Sequence, residues 1–165
     1  MKTQDDKKTI LARFMEGPVL LEQTLKGMTD SDLDAVPSDG GWTIRQIVHH
    51  IADGDDLWKT CIKMAMGNER AEFSLGWYQE QSQIKWSESW AYSKRSIAES
   101  LALLKACRNH ILQLLKSIPD SWNRSVDFRN SDGTVERVSV GFIVEMQGKH
   151  VLHHLEKIKS IRQKI

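Results

Sequence analysis

The chain has 165 residues, with 23 Lys+Arg against 22 Asp+Glu and a formal net charge of +1. Its 40% hydrophobic and 27% charged residues describe a globular chain, and near-neutrality argues against a protein built mainly to neutralise nucleic-acid phosphates. A chain of this size supports one substantial core over residues 1–165 and is too short for two comfortable domains.

Residues 7–28 carry helical spacing, with Ile10, Leu11, Phe14 and Met15 before Gly17-Pro18 and Val19, Leu21, Leu25 and Met28 after it. Proline lacks a backbone donor and clashes with the preceding turn of a helix, so the expectation is a break at Gly17 and a new helix from Pro18. A continuous kinked helix is the alternative. Thr29 and Asp32 form a capping signature for a short turn of helix over Asp30 to Ala35.

Pro37-Ser38-Asp39-Gly40-Gly41-Trp42 is the strongest breaker. Thr43 with Gln46 then opens a helix whose stripe runs through Ile44, Ile47, Val48, Ile51, Trp58, Ile62 and Met66 to Gly67. Residues 68–92 hold no lasting period; a short helix is allowed there, with Trp77, Trp86 and Trp90 pinning the segment over the core. Residues 93–118 predict a long helix stopped by Pro119. Alternation from Ser125 to Ser139 around Asp132-Gly133 predicts a β-hairpin, and the last helix spans Ser139 to Ile161. Four major helices with one long crossover make an all-α four-helix bundle.

The N-terminus lacks the apolar run of a secretory leader, Cys61 and Cys107 suggest no disulfide scaffold, and no segment approaches the roughly 18 apolar residues of a membrane span. The expected setting is cytoplasmic, without membrane or nucleic-acid partners. The six Trp are scattered without regular basic neighbours, and the basic C-terminal residues read as a solvated helix end. Gly-rich phosphate loops, paired Cys-x-x-Cys motifs and His-Glu-x-x-His are all absent from the chain.

Chemistry concentrates in the histidines. His150 and His154 stand four residues apart on a predicted helix, so their Cβ atoms lie about 5–6 Å apart on one face. Two imidazoles so placed can converge on one ion. His49 and His50 supply candidates for a third ligand; His50 shares a side with Gly54 and Leu57, where glycine allows close approach of another helix, and His49 sits about 100° away. That geometry prefers His50. Three His ligands leave a divalent ion an open position for water or substrate. Asp53 and Glu145 are candidates to hold the second ring nitrogens. His153 and His49 are expected beside the site, in helix contacts, and His110 is read as an ordinary residue. Cys61 is about 16 Å along the helix from His50, too far to ligate the same ion, and Cys107 is read as a buried structural thiol.

The stretch Gly41-Trp42-Thr43-Ile44-Arg45-Gln46-Ile47-Val48-His49-His50-Ile51-Ala52-Asp53 resembles the opening of the second helix in the DinB/YfiT-like superfamily. Gly148-Lys149-His150-Val151-Leu152-His153-His154-Leu155 resembles its last helix, and the likeness is closest to the YfiT-like branch of metal-dependent hydrolases. The resemblance implies a four-helix bundle with a long connection between the second and third helices. It further implies a divalent metal, zinc or nickel, held by three His near one end of the bundle, and a homodimer. Matching the motifs selects His50 over His49, and His150 and His154 over His153. Val151 departs from the second His often found in the branch; the change leaves the triad intact and bears on the pocket wall. Three functions follow from this resemblance and site: a hydrolase with metal-bound water as nucleophile, a metal-dependent S-transferase using a low-molecular-weight thiol, or a non-enzymatic metal-stabilised binding domain. Either enzyme would act on a small-molecule substrate that the sequence does not identify.

Overall fold

The computed structural model describes residues 4–38, 40–68 and 70–164, so Met1 to Thr3, Asp39 of the breaker, Glu69 and Ile165 lie outside it. Four long helices, α1 (Gln4–Leu25), α3 (Ile44–Gly67), α6 (Ile97–Ser117) and α7 (Val140–Arg162), form the bundle. The short helix α2 (Asp30–Asp34) carries the expected capping box at Thr29 and Asp32. A second capping box at Thr43 and Gln46 starts α3, and Ser139 caps α7 by accepting from the Phe142 N–H. Among the described residues no helix is long and apolar enough to cross a membrane.

The expected break at Gly17 is absent: α1 runs through Pro18 without interruption. Proline leaves the carbonyl four residues back without its usual donor. That carbonyl belongs to Phe14, and Arg108 of α6 donates to it through Nη1 at 2.7 Å. Glycine at 17 lets the guanidinium in, because a Cβ there would stand 2.5 Å from Arg108 Nη1. The helix continues because a side chain from another helix replaces the missing hydrogen bond.

The long connection between α3 and α6 holds a strand, β1 (Glu72–Ser74), two short helices, α4 (Gly76–Gln79) and α5 (Gln83–Ser89), and a 3-10 turn at Tyr92–Lys94. After α6 comes the predicted hairpin, β2 (Ser125–Arg129) and β3 (Val135–Ser139), paired from Ser125↔Ser139 to Arg129↔Val135. Its turn closes with Gly133 N–H donating to Asn130 O at 3.0 Å, and Gly133 takes φ +85°, where glycine is unstrained. β1 adds to β2 in parallel, with Phe73 opposite Phe128, an element the sequence reading did not foresee. Its signal was local: Ala71, Phe73 and Leu75 are buried and alternate with exposed Glu72 and Ser74. Of the three tryptophans, Trp86 is buried and donates through Nε1 to Tyr78 O at 2.7 Å, and Trp90 packs on it at 4.8 Å. Trp77 is 49% exposed and meets the buried Trp86 edge-on at 5.5 Å.

The bundle interior divides into two apolar clusters. One contains Phe14, Ile62, Ile111 and Val144 beside the sheet; the other contains Leu21, Ile51, Leu104 and Val151. A buried polar layer separates them. Arg108 donates through Nε to Asp55 Oδ2 of α3 at 2.6 Å, through Nη1 to Phe14 O of α1, and through Nη2 to Gln147 O of α7 at 3.0 Å. One guanidinium therefore ties all four long helices at a single level.

Candidate metal centre

His50 lies near the first third of α3, and His150 and His154 lie on successive turns of α7, so the helix pairing decides whether the three meet. They do. His50 Nε2 is 3.1 Å from His150 Nε2, and His154 Nε2 is also 3.1 Å from His150 Nε2. One nitrogen from each ring falls within a set spanning at most 4.8 Å. Ligand nitrogens about 2.0–2.1 Å from a tetrahedral zinc stand roughly 3.4 Å apart, so each of the two 3.1 Å links need only lengthen by a few tenths of an ångström.

Protons alone do not satisfy this arrangement. Protons on the Nε2 atoms of His50 and His154 would both seek the one lone pair of His150 Nε2. Protons on Nδ1 instead leave three Nε2 lone pairs facing one another with nothing to receive them, and the Nδ1 atoms of His50 and His154 are buried without a partner under either assignment. A cation accepts all three Nε2 lone pairs at once, so the donor set fits a divalent metal. The acids expected behind the rings stand elsewhere: Asp53 pairs with Arg95 Nη1 at 3.4 Å and Glu145 with Lys149 Nζ at 2.8 Å. Packing orients the rings instead. Trp42 meets His50 edge-on at 4.9 Å, and the His150 and His154 rings are mutually perpendicular at 4.6 Å.

Burial keeps all three imidazoles neutral. Desolvation, then the neighbouring His150, lowers His50 to about 4. Desolvation, then Arg108 and His153, lowers His150 to about 4; desolvation, then the other two rings, lowers His154 to about 3. Neutral lone pairs are what a metal requires. The unfolded chain takes up these protons near pH 6.5, whereas the folded metal-free protein resists them to about pH 4. Stability of the metal-free protein is therefore full above pH 6.5 and declines as pH falls toward 4. Between pH 7 and 5.5 the expected loss is about 1 kcal/mol for each of His50 and His150 and less for the part-exposed His154. Urea unfolding at the two pH values measures it; coincident midpoints would contradict it.

The other histidines separate cleanly. His49 is fully buried on another side of α3, with Nδ1 2.8 Å from Ser100 Oγ and Nε2 3.2 Å from Arg95 O. His153 is exposed beside His154, and His110 is exposed on α6. Gly54 faces His150 as expected, yet a Cβ there would lie 3.8 Å from His150 Cε1, an ordinary contact. The pairing of α3 with α7 does not depend on that glycine. Val151 is buried and points at Gly17 of α1, so position 151 belongs to the core and not to the pocket wall. Cys61 and Cys107 are both free and buried, and burial raises both thiols, Cys61 to about 12.

A cavity of about 130 Å³ adjoins the histidines, bounded by His50 and His150, by Trp58 and Met146, and by Leu75 and Tyr78 from the long connection. Gly54 and Leu57 also line it, as do Asp55 and Gln147. Neither these two nor Arg108 was singled out from the sequence. The available signal was a polar residue on an apolar line: Asp55 four after Ile51, Arg108 four after Leu104, and Gln147 four after Ile143.

Comparison with known proteins agrees with this fold. YfiT from Bacillus subtilis, whose name classes it provisionally among metal-dependent hydrolases, is 30% identical over 163 residues, covering 99% of this chain and 88% of the relative. A relative from Oceanobacillus iheyensis with the same provisional description is 29% identical over 145 residues, covering 87% of this chain and 78% of its own length. The solved structure of Bacillus subtilis YfiT, described as a four-helix bundle of unusual topology, superposes with a TM-score of 0.84 at 27% identity, covering 99% of this chain and 90% of that one. The family model of the DinB superfamily matches residues 13–158, and this chain belongs to that superfamily.

Proposed function

We propose that the protein is a metal-dependent hydrolase acting on a small-molecule substrate, with His50, His150 and His154 holding one divalent ion, zinc or nickel. The observation that carries the reading is the meeting of three Nε2 atoms from two helices, each link 3.1 Å long. The provisional hydrolase description of the Bacillus subtilis and Oceanobacillus iheyensis relatives supports the reaction class. Held by His50, His150 and His154, such an ion would supply Lewis acidity and would make water available as a nucleophile at neutral pH.

The chain's own residues set the conditions for that chemistry. Three neutral imidazoles bring no negative charge, so the ion's charge stays available to an anionic or carbonyl oxygen. The helical spacing of His150 and His154 fixes two ligands on one rigid face, and Trp42 limits rotation of the third. Trp58, Leu75, Tyr78 and Met146 present an apolar wall that excludes water from one side of the site and strengthens electrostatic interactions within it.

The test is a panel of small esters and amides incubated with the purified protein before and after chelation, with and without a low-molecular-weight thiol. The expected result is hydrolysis that disappears on chelation, returns with zinc or nickel, and ignores the thiol. Turnover only in the presence of thiol would replace the hydrolase with an S-transferase. Metal retention without turnover would leave a metal-stabilised binding domain.

A further inference from the structure

Gln147 is 3% exposed, and its side chain lines the cavity beside His50 and His150. Its Nε2 donates to the backbone carbonyl of Asp55 at 3.4 Å. A carbonyl can only accept, so the amide nitrogen belongs on that side and Oε1 on the other. Oε1 is buried and has no hydrogen-bond partner. The residue is also held from behind, because its backbone carbonyl accepts from Arg108 Nη2 at 3.0 Å within the polar layer of the bundle. An orphan buried acceptor is costly, and here it belongs to a side chain on the wall of a cavity whose lining is apolar apart from Asp55 and the two histidines. Apolar walls with a small number of placed polar groups are how small-molecule sites achieve orientation. The volume, about 130 Å³, is close to that of an engineered apolar cavity of about 150 Å³ that binds benzene.

We propose that this cavity is the specificity pocket, that it takes one apolar group the size of an aromatic ring or a short branched chain, and that Gln147 Oε1 accepts a hydrogen bond from an N–H or O–H attached to that group. Taken with the hydrolase reading, on which the substrate's role rests, this selects small aromatic or branched-chain amides whose N–H adjoins the apolar group. Gln147 is a positioning residue; the bond to be cleaved lies toward the histidines.

The experiment titrates toluene and phenol into the purified protein, with and without one equivalent of zinc, followed by NMR. In the wild type, the ring currents of both ligands are expected to move the Gln147 side-chain amide resonances, phenol more than toluene because only phenol donates to Oε1. Gln147→Met should weaken phenol about tenfold while changing toluene less than twofold, a difference that loss of packing alone would not produce. Gly54→Ala adds a methyl group in ordinary contact distance of His150 and should weaken both ligands several-fold and equally. Equal losses for both ligands in Gln147→Met, unmoved Gln147 resonances with phenol, or no binding of either ligand to the wild type would each overturn the proposal. Phenol binding as described in a protein that takes no metal would keep the pocket and remove the hydrolase. Zinc binding without either ligand would do the reverse.

Discussion

Replacing Arg108 with methionine is expected to destabilise the protein by about 3–5 kcal/mol and to lower its melting temperature by roughly 10 °C or more. Arg108 and Asp55 are 1% and 2% exposed, so this ion pair is fully withdrawn from water. Methionine fills similar volume but strands the Asp55 carboxylate, which burial already pushes toward its neutral form and which Arg108 opposes. It also strips the donor from Phe14 O, which Pro18 cannot replace. Burial of a lone charge and an unpaired carbonyl are separate costs, and they add here because one side chain relieves both. Arg108→Met combined with Asp55→Leu should recover part of the loss, since the stranded charge is gone while the Phe14 carbonyl stays unpaired. Urea and thermal unfolding of the two variants measure this. A single variant melting within a degree or two of the wild type would show that the polar layer contributes nothing.

His150→Ala is expected to reduce zinc affinity by at least about 1,000-fold, beyond the 10–100-fold typical of disturbing groups that merely support a ligand. His150 is the middle member of the triad: its Nε2 is 3.1 Å from the Nε2 of both partners. Its loss leaves two imidazoles from different helices, without the i,i+4 pair that pre-organises the site. His153→Ala serves as the control, because that ring is exposed and outside the converging set, and its affinity should match the wild type. Competition against a chromophoric chelator reads both variants. His150→Ala binding within tenfold of the wild type would remove the residue from the site.

Three of the four long helices were legible from their apolar spacing and from the caps or breakers at their ends. Thr43 with Gln46 caps α3 where the sequence placed it, α7 starts one residue after the predicted Ser139, and the Asp132-Gly133 turn lies between paired strands as predicted. The three ligand positions were legible for two reasons. Helical spacing alone joins His150 to His154, and the Trp42-Thr43 to His50 stretch carries a family resemblance. What stayed hidden depended on contacts between distant segments. Pro18 looked like a break because its rescue comes from Arg108, 90 residues later in the chain. Likewise β1 is only three residues long and gains its meaning from β2, more than 50 residues away. Asp53 and Glu145 were placed near the rings by position along their helices, yet ion pairing with Arg95 and Lys149 turns each toward another partner. Helical periodicity assigns a residue to a face; it does not decide which of several neighbours on that face receives the side chain.

The most direct measurement is anomalous diffraction at the zinc edge from crystals of the zinc-loaded protein. A single peak about 2.0–2.1 Å from Nε2 of His50, His150 and His154 is the predicted result. A zinc peak held by other residues, or none at this point at full loading, would contradict the assignment.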